Sequence, residues 1–183
     1  MSQAHAYVTF EEFLAGEVAG GVRHEWVAGE VYAMAGGTER HDTAVEALRD
    51  VLGPGARARG CRRFTGNRLI RIGEVSYYPD FFIVCGKAAD RLFETDASLL
   101  VEVRSPGTAG RDRREKAVAY ARLRSAEMYL LVDSVYRQID VGVRVGDGWQ
   151  WSTLGPGDAL FTPYGNIVID DLYDEIDAAS SDV

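Results

Sequence analysis

No apolar run in this chain approaches the roughly 20 residues that a membrane-spanning helix requires, and the N-terminus lacks the basic-then-apolar pattern of a signal peptide. The expectation is a cytoplasmic chain with no membrane partner. Cysteine is scarce. Cys61 and Cys85 form no C-x-x-C pair and have no suitably spaced histidines, so neither a zinc site nor a disulfide framework is indicated, and two reduced, largely buried thiols are expected. Internal repeats, low-complexity tracts and linkers are missing too. With 183 residues and 46% hydrophobic content, what remains is one domain with a sizeable core, spanning residues 1–183.

A net charge of −8 argues against a protein that coats nucleic acid through bulk electrostatics. The charge is nevertheless uneven. Residues 56–71 carry six arginines and no acid, and residues 104–124 carry an excess of five positive charges. Two basic segments on an acidic body could form a local phosphate-binding face. Arginines that merely solubilise helix faces and edge strands are the competing reading.

Along the chain, Thr9 and Glu12 fit a capping box and predict a helix from Phe10 to about Gly16. His24 to Met34, with Ala28-Gly29 inside, reads as a hairpin. Thr38 can cap a second helix through Leu52, ended by Gly53-Pro54. Strands are expected at Arg68–Ile72, Asp80–Cys85 and Leu99–Val103, together forming the sheet centre. A helix from about Arg111 to Arg124 then leads to a strand at Met128–Val132, and this β-α-β unit predicts a right-handed crossover between parallel neighbours. Gln138–Val145 and Trp149–Leu154 flank the turn signal Gly146-Asp147-Gly148, and a terminal strand at Ile167–Ile169 leads into a short acidic tail.

Two acids break this pattern. Glu102 lies inside the apolar strand Leu99-Leu100-Val101-Glu102-Val103, where an ionised carboxylate needs a cationic partner, a proton or a metal. Asp80 follows Pro79 and precedes Phe81-Phe82-Ile83-Val84, so it is presented at a defined strand entry. Lys116, one helical turn beyond Asp112, sits on the helix that follows the Glu102 strand and can reach the same pocket from its inward side. Two carboxylates on neighbouring strands and a lysine are the parts of metal-assisted phosphodiester hydrolysis. Arg104, Arg68 and Arg113 are the candidates for anchoring substrate phosphates. Tyr120 and Tyr129 read as core aromatics, and His41, near the start of the second helix, either points to the pocket or simply sits near the helix end, the latter reading standing ahead.

Pro79-Asp80, Glu102-Val103-Arg104-Ser105-Pro106, Asp112-x-x-x-Lys116-x-x-x-Tyr120 and Tyr129-Leu130-Leu131-Val132-Asp133, in this order, resemble the Uma-type restriction endonucleases, a branch of the PD-(D/E)xK nuclease superfamily. Glu25, Gly29-Glu30, Met34 and His41 extend the likeness, which runs from Thr9 through Asp170-Asp171-Leu172. The resemblance implies an α/β (α+β) fold, a restriction-endonuclease-like mixed sheet flanked by helices, here with an antiparallel C-terminal hairpin. It implies Mg²⁺ or Mn²⁺ held by Asp80 and Glu102, Glu25 as a further catalytic acid, and DNA as substrate. Where most of the superfamily carries lysine two residues after the glutamate, this chain has Arg104, a phosphate clamp but a poor base. The resemblance places the lysine role on Lys116 instead.

Two other readings compete with the endonuclease. One is a catalytically idle nucleic-acid-binding module; the other is a structural domain in which Glu102 pairs with Arg104 or Arg68. Cutting both strands would favour a homodimer about a twofold axis, with the hairpin carrying Trp149 and Trp151 as its candidate contact.

Overall fold

The computed structural model describes residues 7–34, 36–104 and 112–179, with side chains from 115 onward in the last segment. Thr9 caps α1 (Phe10–Ala19): its hydroxyl accepts from the Glu12 amide while the Glu12 carboxylate accepts from the Thr9 amide. The hairpin of β1 (His24–Val27) and β2 (Glu30–Ala33) turns on Ala28 and Gly29, both at positive φ. That conformation is ordinary for glycine and unusual for alanine. Thr38 caps α2 (Glu39–Ala58), which continues for a full turn past Gly53-Pro54, where the sequence predicted an end. Packing explains the continuation. The Gly53 carbonyl accepts from Arg63 Nη1 at 2.8 Å, and Gly55 lies so close to Tyr164 that a Cβ there would stand 2.0 Å from the Tyr164 carbonyl oxygen. These contacts outweigh the amide that proline removes.

Next come β3 (Arg62–Thr65), β4 (Leu69–Ile72), β5 (Val75–Tyr77), β6 (Phe81–Val84), β7 (Phe93–Glu94) and β8 (Leu99–Arg104). Then α3 (Asp112–Tyr120) crosses to β9 (Met128–Asp133). The hairpin of β10 (Ile139–Val145) and β11 (Gly148–Leu154) closes on Gly146-Asp147 as expected. A small hairpin of β12 (Ala159–Thr162) and β13 (Gly165–Val168) ends the sheets. The chain then forms α4 (Ile169–Ala179) where only an acidic tail was anticipated. Its buried residues Ile169, Leu172, Tyr173 and Ile176 recur at helical spacing.

The strands form two principal sheets. One runs β11-β10-β9-β8-β6-β3 and the other β2-β1-β5-β4-β7. The predicted parallel pair β8–β9 stands inside the first, in register Glu102↔Leu131. The expectation that Arg68–Ile72 shares a sheet with the other two central strands is corrected: β4 belongs to the second sheet. Alternation along β6 and β8 sends Phe81, Ile83, Leu99 and Val101 toward α2 and α4, and Phe82, Val84 and Leu100 toward α3 and residues Ile70, Ile72 and Tyr77 of the second sheet. Phe10 and Phe13 of α1 cover Trp26 on the outer side. Among the described residues no helix is long and apolar enough to cross a membrane.

Strand register also overturns the thiol expectation. β3 and β6 pair with Arg62 opposite Val84, which sets Cys61 across from Cys85, and the two form a disulfide. A sequence separation of 24 residues hides what the antiparallel ladder makes adjacent.

Much of the first basic segment is engaged in holding the fold. Glu94, with no exposed surface, receives Arg62 Nη1 at 2.6 Å and Arg68 Nη2 at 2.8 Å. Burial pushes its carboxyl pKa up, but the two guanidinium groups outweigh it and hold it below the usual carboxylate value. A lowered pKa stabilises the fold above the ordinary carboxylate range and loses that contribution as pH falls through the folded-state value. Glu94→Gln should therefore cost about 2 kcal/mol at neutral pH, discounted for the partly exposed arginines. In denaturant titrations across pH, the gap from wild type should close on acidification.

Candidate active site

Asp80 stands one residue before β6, whose register with β8 (Phe81↔Val101) brings it level with Glu102. Its Oδ2 accepts from the Val103 amide at 2.7 Å, and its Oδ1 lies 3.2 Å from His41 Nε2. His41 occupies the first turn of α2, where Thr38 accepts from its amide. Hydrogen bonding to Asp80, opposed by burial and reinforced by the charges of Asp80 and Asp42, pushes the imidazole pKa up to about 9. Of the two readings of His41, helix-end residue or pocket residue, the geometry favours the second and makes it the direct partner of the strand-entry acid.

Glu102 is 9% exposed on the face of β8 that meets α3. Lys116 and Tyr120, four residues apart on that helix, both reach it: Lys116 Nζ lies 3.2 Å from Oε2, and the Tyr120 hydroxyl donates to Oε1 at 2.5 Å. Lys116, itself 4% exposed, also approaches Glu25 Oε1 at 2.9 Å. Glu25 comes from β1 in the second sheet, so one ammonium joins an acid from each sheet. The i,i+4 spacing of Lys116 and Tyr120 was the signal that could have drawn Tyr120 into the site. Burial, reinforced by the negative charge of Glu102, pushes the Tyr120 pKa well up, so the hydroxyl remains a donor. A hydrogen bond to a charged group contributes about 2 kcal/mol. Tyr120→Phe should cost about that much in thermal or chemical denaturation, because the ring keeps its packing and only the Glu102 contact goes.

Among the predicted site residues, Glu25, Glu102 and Lys116 converge, with Asp80 at the entry of the adjacent strand. The arginines are placed otherwise. Arg68 is held by Glu94 and the carbonyls of Asp90 and Phe93. Arg104 directs Nη2 to Asp140 at 3.2 Å and to Asp133 at 4.0 Å. The side chains of Arg113 and Asp112 lie outside the described residues. Among the described residues, Lys116 and Tyr120 bind Glu102, whereas Arg104 and Arg68 are held by other carboxylates.

A cavity of about 540 Å³ opens over Asp80 and His41, lined also by Arg23, Met34, Glu46 and Asn67. Its acidic members would repel a polyanion unless a cation intervened. No group of three or more His, Cys, Asp and Glu side chains is arranged around a metal position among the described residues. Asp80 and Glu102 nonetheless fit a hard cation of the Mg²⁺ type, which takes one or two protein carboxylates and completes its shell with water and substrate phosphate. Each carboxylate oxygen carries two lone pairs, so the contacts above leave acceptor capacity at both groups.

Residues 10–163 match the model of the Uma2 family, described as "Putative restriction endonuclease". The chain belongs to the Uma2 family. Two curated relatives come from Synechocystis sp. (strain ATCC 27184 / PCC 6803 / Kazusa). The uncharacterized protein slr1290 is 31% identical over 148 residues, covering 79% of this chain and 77% of the relative. The uncharacterized protein sll1609 is 26% identical over 150 residues, covering 79% and 84%. In fold, this Uma2 member is similar to a crystal structure of "a putative nuclease belonging to DUF820" from Anabaena variabilis ATCC 29413. The TM-score is 0.71, with 15% identity, 89% of this chain and 98% of that one covered. The Uma2 assignment and the shared fold agree with the restriction-endonuclease-like architecture expected from the sequence, and they support a nuclease.

Proposed function

We propose that this Uma2 member is a metal-dependent endonuclease that hydrolyses DNA phosphodiester bonds. The observation that carries the reading is Glu102: a carboxylate buried on an otherwise apolar strand, level with Asp80, and bound by a lysine and a tyrosine from one helix face. A purely structural strand would gain more from an aliphatic residue there.

In this reading Asp80 and Glu102 hold Mg²⁺ or Mn²⁺, and the bound cation supplies Lewis-acid polarisation of the phosphate and a more acidic water. The protein's own groups set the geometry. His41 and the Val103 amide fix the Asp80 carboxylate, while Tyr120 fixes Glu102. Lys116, bound between two carboxylates, acts as a cation that orients Glu102 and offsets charge building at phosphorus. Glu25 keeps that ammonium in place. Arg104, balanced by Asp140, aligns the end of β8. Cutting both strands of a duplex would call for two copies about a twofold axis.

The test is incubation of the protein with plasmid and linear DNA in Mg²⁺, in Mn²⁺ and in chelator, read on gels. Cleavage restricted to the metal-containing reactions is expected. No cleavage with any DNA would favour a binding or structural module on a nuclease scaffold, and equal cleavage in chelator would overturn the metal dependence.

A further inference from the structure

Several arginines of this chain are tied into the fold. Arg62, Arg63, Arg68, Arg104 and Arg144 all hold carboxylates or carbonyls of the fold. Arg122 and Arg124, just beyond α3, are exposed and make no side-chain hydrogen bond or ion pair among the described residues. Both line a groove of about 810 Å³ between α3 and the β10–β11 hairpin, together with Val118, Arg144, Trp149 and Trp151. Val118 is 62% exposed and Trp151 37%. Trp149 is fixed, its indole donating to the Ala117 carbonyl at 2.8 Å beneath the Arg144 guanidinium. Trp151 lies edge-on to Tyr129 and against Gly142. The floor is thus aromatic and held in place, and the rim carries three arginines against one acid, Asp147, on a chain of net charge −8.

We infer that this groove binds a DNA strand, with phosphates on Arg122 and Arg124 and a base or sugar against Trp151 and Val118. Uncommitted arginines beside ordered indoles are the elements that grip single-stranded nucleic acid without reading its sequence. The position suits the substrate of the proposed nuclease, on which the biological sense of this inference rests. Arg122 lies two residues past the end of α3, the helix that carries Lys116, so the groove sits at the C-terminal end of the element that serves the acidic site. The groove therefore adds affinity for flanking DNA at a place that takes no part in bond cleavage.

Anisotropy of a short fluorescein-labelled single-stranded oligonucleotide, titrated with full-length protein in Ca²⁺ over a range of salt, tests this directly. Arg122→Gln with Arg124→Gln should weaken binding about tenfold and flatten the dependence of log affinity on log salt by about 1.4. Val118→Glu, a change at an exposed helix position that spares the core, should weaken binding as well. Trp151→Ala should remove most of the quenching of tryptophan emission that the oligonucleotide produces, leaving the share of Trp149. If the arginine pair and Val118→Glu bind within twofold of wild type while the wild type cuts DNA, the groove assignment is wrong and the nuclease reading stands. If wild-type protein binds no oligonucleotide at all, the groove assignment fails, and cleavage of plasmid and linear DNA decides the nuclease reading separately.

Discussion

Asp80→Asn is expected to fold as the wild type does, to give no heat in a calorimetric Mn²⁺ titration, and to lose cleavage by about a thousandfold or more. That loss corresponds to the several kcal/mol of charge stabilisation a bound cation supplies. Asparagine is the informative substitution. Asp80 Oδ2 accepts the Val103 amide at 2.7 Å, and the asparagine carbonyl can continue to do so. Alanine would leave that amide without its acceptor and mix a folding defect into the result. Unchanged Mn²⁺ binding in Asp80→Asn would remove this carboxylate from the metal site, and with it the proposed mechanism.

Removing the lysine should produce a different signature. Lys116 is buried between Glu102 and Glu25, so Lys116→Met leaves two acids facing each other without their counter-ion. Breaking a buried ion pair on one side costs about 3 kcal/mol or more, and a loss of that size should appear in thermal denaturation without metal. If Glu102 is a ligand, saturating Mn²⁺ should restore part of the stability, because the cation takes over the neutralising charge. Cleavage should stay low even then. A Lys116→Met protein as stable as wild type would show that the two carboxylates do not depend on this ammonium.

The parts of this fold legible in the sequence were those set by near neighbours. The Thr9–Glu12 box, the Ala28-Gly29 hairpin and the two-residue turn at Gly146-Asp147 are local chemistry, and each stands where the residues put it. The parallel β8–β9 pair was legible because a helix between two apolar strands leaves few topologies. What escaped depended on distant packing. α2 passes Pro54 because Gly55 and Tyr164 come together across more than a hundred residues. β4 joins another sheet, and Cys61 meets Cys85, through strand register rather than spacing. The helix α4 is a different case. Ile169, Leu172, Tyr173 and Ile176 announced it, but the surrounding acids suggested a tail.

The site divides in the same way. Asp80 and Glu102 stood out as acids against apolar runs, which is a local contrast. Lys116 could be linked to them because its helix follows the Glu102 strand. Glu25, by contrast, was carried only by family likeness, since nothing near it in the chain points to a lysine 91 positions away. The arginine run at 56–71 misleads for the complementary reason. Its charges suggested a phosphate face until Glu94, buried on a two-residue strand, accounted for Arg62 and Arg68.

Lys116 joins an acid from each of the two principal sheets, and this has a kinetic meaning. Neither sheet alone contains the full constellation, so the site comes into being only when they dock around α3. Contacts that span residues 25 to 116 close large loops and form slowly compared with the hairpins at either end. During refolding, regain of activity should then track the docking of finished halves rather than the appearance of secondary structure. On the proposed nuclease reading, a molecule whose sheets have not yet docked would leave DNA uncut.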